Sequence, residues 1–185
     1  MNAPRSPLRP LDDALAELLG HAQPLVGVDA ISTFDADARV LVQDLVSALQ
    51  VPPQDNSAMD GWAVRVAEIA DEGVVLPISQ RIPAGSAAQP LALGSVARIF
   101  TGATIPEGAD AVVMQEETMP AGEQSVRILR VPEPGQWIRR SGEDVKRGSV
   151  VLAKGTRLSA ASLGLAASIG LDSLPVARRP KVALF

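Results

Sequence analysis

The chain has 185 residues, 46% of them apolar, and a formal charge of −4, enough for one good hydrophobic core or two small ones. It contains no cysteine, which excludes a disulfide framework, a thiolate metal site and a cysteine nucleophile. The acidic balance with interspersed signs argues against a nucleic-acid or anionic-membrane binder, and aromatics at 3% argue against stacking of exposed bases.

The lead MNAPRSPLRP has no apolar segment of a secretory signal and reads as Pro-rich and unstructured. The first helix is expected in LDDALAELLG, where Leu11, Ala14, Leu15, Leu18 and Leu19 form one stripe at helical spacing. Asp12 and Asp13 occupy the first turn, which the helix dipole favours, and Gly20 is the expected stop just past the end. His21 reads as a surface residue beside that helix end, with no chemistry assigned. Residues 34–49, FDADARVLVQDLVSAL, read as a short helix followed by a strand.

From VPPQ (51–54) to about Glu143 the texture changes. Short β-branched runs, VVLPIS (74–79), GSVARIF (94–100), AVVMQEET (111–118) and SVRILRV (125–131), alternate with the turn signals IPAG, IPEGAD, PAGE and PEPG. That spacing predicts a barrel or sandwich. A helix returns at AASLGLAASI, capped by Ser159 and ended by Gly170. The apolar stretch LGLAASIGL (163–171) is far too short to span a bilayer, so a soluble, cytoplasmic protein is expected. The fold class is thus α+β, with a barrel- or sandwich-like β-domain (49–145) inserted between the two halves of another, helix-containing domain (1–48 plus 146–180). The final KVALF (181–185) reads as a buried strand of a parallel sheet whose neighbours are missing.

Three stretches carry candidate chemistry, and each admits a plain structural reading. In DNSAMDGWAV (55–64), Asp55 or Ser57 can form a side-chain turn and Asp60-Gly61 a hairpin corner, with Gly61 taken to supply a positive φ. Alternatively Asp60 is a carboxylate projected from a strand edge towards a divalent cation or a proton. In RIFTGATIPEGADAVVMQEE (98–117), Thr101-Gly102 either exits a strand or lets backbone N–H groups approach an anion; the spacing of a phosphate loop is absent. Glu116 and Glu117 read as a solvated strand face. In WIRRSGEDVKRG (137–148), Arg139 and Arg140 suit tetrahedral oxyanions, with Glu143 and Asp144 close behind, or the whole forms a salt-bridged surface loop.

In this order, DNSAMDGWAV, RIFTGATIPEGADAVVMQEE, IRRSGEDVKRGSVVLAKGTRL and LGLAASIGLDSLPVARRPKVALF resemble the N-terminal half of the MoeA-like molybdopterin molybdenumtransferases, from about residue 10 onward. The resemblance implies a helical or mixed linking domain carrying an inserted, distorted barrel-like β-domain, followed in the family by a molybdopterin-binding α/β domain of which 181–185 would be the first strand, the rest being truncated. It implies insertion of molybdenum, delivered as molybdate, into adenylylated molybdopterin with release of AMP, assisted by Mg2+. Carried over by motif, Asp60, Thr101 and Asp144 match active-site positions. Asp60 and Asp144 would hold the cation or face the leaving phosphate, and Thr101 would donate a hydrogen bond to the ligand. Ser57, Gly102, Arg139 and Arg140 would be further ligand contacts. Trp62 stands where the family more often has Tyr, and FDADARVLVQDL lacks a common Gly-Arg. The family also implies a homodimer whose site joins two subunits, an upstream molybdopterin adenylyltransferase, and no nucleic acid or membrane partner. A piece of this kind is expected to be inactive alone. Two other readings stay open: a non-catalytic dimerisation or scaffold module, and a stand-alone metal- or oxyanion-binding β-domain.

Overall fold

The computed structural model describes residues 9–23 and 27–184; most of the Pro-rich lead and Phe185 lie outside them. Helix α1 (Leu11–Gly20) forms where the leucine stripe predicts it, with Asp12 and Asp13 in its first turn. Gly20 is its last residue rather than the stop beyond it, and His21 closes the helix in a right-handed conformation. None of its residues is buried: Leu11, Leu15, Leu18 and Leu19 are all exposed.

Strand β1 (Val28–Ser32) leads into a single 3-10 turn over Thr33–Asp35, entered through the Ser32 hydroxyl, which accepts from the Phe34 N–H. The short β2 (Leu45–Val46) follows, so the helix-then-strand expectation for 34–49 shrinks to one turn and two residues. Next come β3 (Asn56–Ser57), β4 (Gly61–Val64), β5 (Val75–Ile82), β6 (Val96–Ile99), β7 (Ala111–Met114), β8 (Thr118–Pro120), β9 (Ser125–Ile128) and β10 (Ile138–Arg139). Gln115–Glu117 form a 3-10 turn between β7 and β8. Glu116 and Glu117 therefore do not sit on a strand face, because the chain must reverse there to start β8. After β11 (Val150–Leu152), helix α2 (Ala160–Ser168) begins at Ser159, whose side chain accepts from the Ser162 N–H, and β12 (Ser173–Ala177) follows. Gly170 takes φ +82° in the turn after α2, a conformation that glycine adopts at little cost.

The two ends of the chain meet. β1 pairs antiparallel with β12, and β2 with β11. Leu41, Leu45, Leu158, Ala166, Leu174 and Val176 make one shared core. Between these ends lies a curled six-stranded half-barrel in the order β7-β4-β6-β5-β9-β8, antiparallel except for the parallel β5–β6 pair. Its central strands are covered on both faces. Ala63, Ala97, Ile99 and Val112 pack with Ile82 and Leu91 on one face; Val64, Val96, Ala111 and Val113 pack with Leu76, Val126 and Ile128 on the other. Burial on two faces explains why GWAV and AVVM read as unbroken apolar runs rather than alternating ones.

Residues 181–184, expected as a strand whose sheet neighbours are missing, form no strand and are exposed. An apolar run becomes a sheet strand only when a neighbouring backbone accepts its hydrogen bonds, and none does so among the described residues. Among the described residues no helix is long and apolar enough to cross a membrane.

Candidate functional site

Antiparallel pairing of β4 with β6 sets Gly61 opposite Ile99, so Asp60, one residue before β4, meets Thr101, two residues past β6. The Asp60 carboxylate accepts on Oδ1 from both the Thr101 N–H (2.8 Å) and its hydroxyl (2.7 Å). No hydrogen bond from the described residues reaches Oδ2. The Thr101 N–H and then its hydroxyl hold the Asp60 carboxyl below the usual aspartate range, and the nearby charge of Arg98 acts in the same direction. The result is an exposed, ionised carboxylate with one oxygen anchored and the other open.

Gly61 serves a different purpose from the one its place in an Asp-Gly corner suggests. It does not have a positive φ. A Cβ added to it would lie 2.0 Å from the Val113 carbonyl oxygen on β7, so glycine is required by close approach of two backbones.

Two expected ligand contacts are taken up by the protein itself. Ser57 is fully buried, and its hydroxyl donates to the Met59 carbonyl (2.6 Å) while accepting from the Met59 N–H. It builds the turn and presents no hydroxyl to a ligand. Gly102 does have positive φ, at +79°, but its N–H donates to the Ser57 carbonyl (2.8 Å). The flanking N–H groups of Thr101 and Ala103 go to Asp60 and Phe100, so the loop offers no free run of N–H groups to an anion.

Arg139 and Arg140 are likewise engaged. Arg139 binds Glu143 through Nε (2.9 Å) and Asp144 Oδ2 through Nη2 (2.6 Å); Arg140 binds Asp55 (2.7 Å). Arg139 is balanced within the turn, as the salt-bridged reading of the sequence expected, and Arg140 by Asp55 from outside it. β10 pairs with β3, Ile138 opposite Ser57, and the Ala58 N–H donates to the Trp137 carbonyl while the Ser57 N–H donates to Ala103. The segment 56–58 thus stitches the Thr101 loop to the Arg139–Asp144 turn. Asp60 and Thr101 are in direct contact; Asp144 bonds to Arg139 and to neither of them. Among the described residues no group of three or more His, Asp or Glu side chains could hold a metal.

The sequence singles out neither Arg98, which lies near Asp60, nor Arg81 beside Arg98. Arg98 on β6 lies opposite both Trp62 on β4 and Arg81 on β5. Its guanidinium stands 5.3 Å from the Trp62 ring and 4.7 Å from that of Phe100, and Arg81 stands 4.7 Å from the same Phe100 ring. Arg98 donates to the Gly61 carbonyl (2.9 Å) and to Gln115 Oε1 (2.7 Å). Burial, followed by the neighbouring Arg81 charge, lowers its pKa, against the opposing pull of Asp60. Beside it a cavity of about 340 Å³ opens in the half-barrel, lined by Trp62, Arg98, Gln115, Thr118, Glu123 and Ser125 among others.

Four carboxylates titrate below their ordinary values: Asp60 as above, Asp55 through the Ser141 N–H and then Arg140, Glu143 through Arg139 and then the Arg140 N–H, and Asp29 through Arg39 and then Arg178. A carboxylate whose folded pKa is depressed stabilises the fold above its unfolded pKa, and that contribution disappears as pH falls through the folded value. Thermal midpoints are therefore expected to be level down to about pH 5 and to drop progressively below about pH 4. A melting series from pH 7 to 2.5 checks this; midpoints that rise on acidification contradict it.

Comparison with known proteins gives a consistent result. A family model described as "MoeA N-terminal region (domain I and II)" matches residues 9–170. The molybdopterin molybdenumtransferase of Haemophilus influenzae is 38% identical over 175 residues, 94% of this chain and 43% of its own length. Molybdopterin molybdenumtransferase 2 of Mycobacterium tuberculosis is 42% identical, over 91% of this chain and 42% of its own. The crystal structure of a molybdopterin biosynthesis moeA protein from Pyrococcus horikoshii OT3 superposes with a TM-score of 0.87 at 34% identity, covering 92% of this chain and 46% of that one. The chain spans less than half the length of each of these relatives.

Proposed function

The chain belongs to the family of MoeA N-terminal regions, and on that premise we propose that it supplies the linking and β-domain part of an enzyme of molybdenum cofactor biosynthesis. The reaction proposed is insertion of molybdenum from molybdate into adenylylated molybdopterin, with release of AMP. The observation that carries this reading is the Asp60–Thr101 pair, an ionised carboxylate held by a hydroxyl and an N–H at an exposed strand end, with one oxygen left over.

Cleaving a phosphoanhydride requires neutralisation of the phosphate oxygens, and a divalent cation such as Mg2+ supplies that when bound. Such a cation takes one or two carboxylates and completes its shell with water and substrate phosphate. Asp60 would hold it through Oδ2. Asp144 is the second proposed ligand and would share its carboxylate with Arg139. Thr101 fixes the Asp60 rotamer and keeps the carboxylate ionised. Placement in the cytoplasm and assembly as a homodimer, with the pterin pocket completed by the second subunit's later domain, belong to the same proposal. So do an upstream molybdopterin adenylyltransferase and the division of the chain at 48/49 and 145/146, which the core shared by the two chain ends supports.

The reading is tested by complementation. In cells lacking their own molybdotransferase, the full-length protein is expected to restore molybdoenzyme activity, and the 185-residue chain alone is expected not to. Failure of the full-length protein, with protein present and soluble, overturns the reading; activity of the short chain overturns its dependence on later domains.

A further inference from the structure

We propose that the mouth of the half-barrel is an anion site in which Arg81 and Arg98 together bind a phosphoryl group of a small ligand, whose remaining part lies in the cavity against Trp62. The inference deepens the reading above and rests on it only for the expectation that the ligand carries phosphate. Its own support is the arrangement of the sheet.

Arg81, Arg98 and Trp62 occupy one cross-strand row over β5, β6 and β4. Farther along the same face the row gives way to the apolar cluster of Val64, Val96, Ile78 and Val113. Two like charges directly opposite each other on neighbouring strands repel, and a protein usually relieves such a pair with a carboxylate. Here, among the described residues, neither arginine forms an ion pair; Arg127, Arg147, Arg157 and Arg179 form none either, but of these unpaired arginines Arg81 and Arg98 alone stand opposite each other on paired strands. Asp60 and Glu116 act on Arg98 only through space, neither forming a hydrogen bond to it among the described residues.

Both guanidinium groups are instead held against the Phe100 ring. The Gly61 and Gln115 contacts use two of the five N–H donors of Arg98 and fix its plane. A half-buried, oriented guanidinium with donors to spare and a second one beside it matches a tetrahedral dianion. The adjoining cavity, about 340 Å³ with Trp62, Gln115, Thr118 and Ser125 in its wall, is of a size to hold a small organic molecule. Its one lining carboxylate, Glu123, disfavours a ligand that is anionic throughout and favours one charged at a single end.

Calorimetric titration of the 185-residue chain at low salt, with inorganic pyrophosphate, AMP and molybdate as separate probes, decides the matter. Pyrophosphate and AMP are expected to bind, AMP the tighter, with affinity falling as salt rises. Arg81→Gln and Arg98→Gln are each expected to weaken both about tenfold, the loss of one charge-assisted hydrogen bond, while Arg127→Gln, whose guanidinium serves the Gly73 carbonyl, leaves binding unchanged. Arg81 is exposed and makes no side-chain hydrogen bond among the described residues, so its variant reads the site even if Arg98→Gln does not fold. Absence of binding in the wild type, unchanged binding in Arg81→Gln, or binding of molybdate alone each overturns the proposal. Because the readout needs no turnover, its failure leaves the Asp60 reading untouched, and loss of activity in an Asp60 variant says nothing against this site.

Discussion

Gly61→Ala is expected to cost about 3 kcal/mol or more, lowering the thermal midpoint by roughly 10 °C. The added Cβ would sit 2.0 Å from the Val113 carbonyl oxygen, 2.9 Å from its carbon and 3.1 Å from the Met114 Cα. All three are backbone atoms of β7, so no rotamer change relieves the overlap. β7 must move away from β4, and that opens the two faces where Ala63 and Val64 are fully buried. Gly164→Ala is the natural control. It lies inside α2, no atom would come within 4 Å of its Cβ, and its φ is not positive. There alanine is expected to stabilise by about 0.5–1 kcal/mol, because glycine is the poorer helix former. Denaturant titration of both variants reads out the contrast; equal stabilities would mean that β4 and β7 lie farther apart than described.

Asp60→Ala in the full-length protein is expected to reduce molybdenum insertion by about a hundredfold or more, the scale on which loss of one preorganised electrostatic group is felt. The thermal midpoint near pH 7 is expected to change little, since the carboxylate is exposed and bonds only to Thr101 at the end of the strand pair. Asp60→Asn separates two roles. The amide retains an oxygen for the Thr101 N–H and hydroxyl but loses the charge. If charge at the open oxygen matters, Asn and Ala are equally inactive; if Asp60 only shapes the Thr101 loop, Asn is close to wild type. Thr101→Val removes the hydroxyl and keeps the N–H, so it is expected to raise the Asp60 pKa and to move the acid limb of the activity profile upward in pH. An Asp60→Ala enzyme with full activity would remove the residue from the proposed reaction.

The resemblance to one family through four motifs in order was legible in the chain itself, and so were most elements. Leucine spacing announces α1, Ser159 and Gly170 bracket α2, and Pro-Gly punctuation separates the strands of the middle. These features depend on neighbours within a few residues, which is why they survive without knowledge of the fold. The 3-10 turn at Gln115–Glu117 escaped because AVVMQEET carries no breaker; the reversal is imposed by β8 pairing with β9.

The site was decided at longer range. That Asp60 meets Thr101 follows from the β4–β6 register over a separation of 41 residues. That Arg81 stands beside Arg98 follows from a parallel pairing that nothing in RIPAG or ARIF announces. The same distance effect removed candidates: Arg140 is neutralised by Asp55 from 85 residues away, the Gly102 N–H is taken by Ser57, and the Ser57 hydroxyl is turned inward. Residue type and local spacing determine which groups could do chemistry. Which of them remain free to do it depends on where each donor and charge finds its partner, and a chain settles that only when its strands pair.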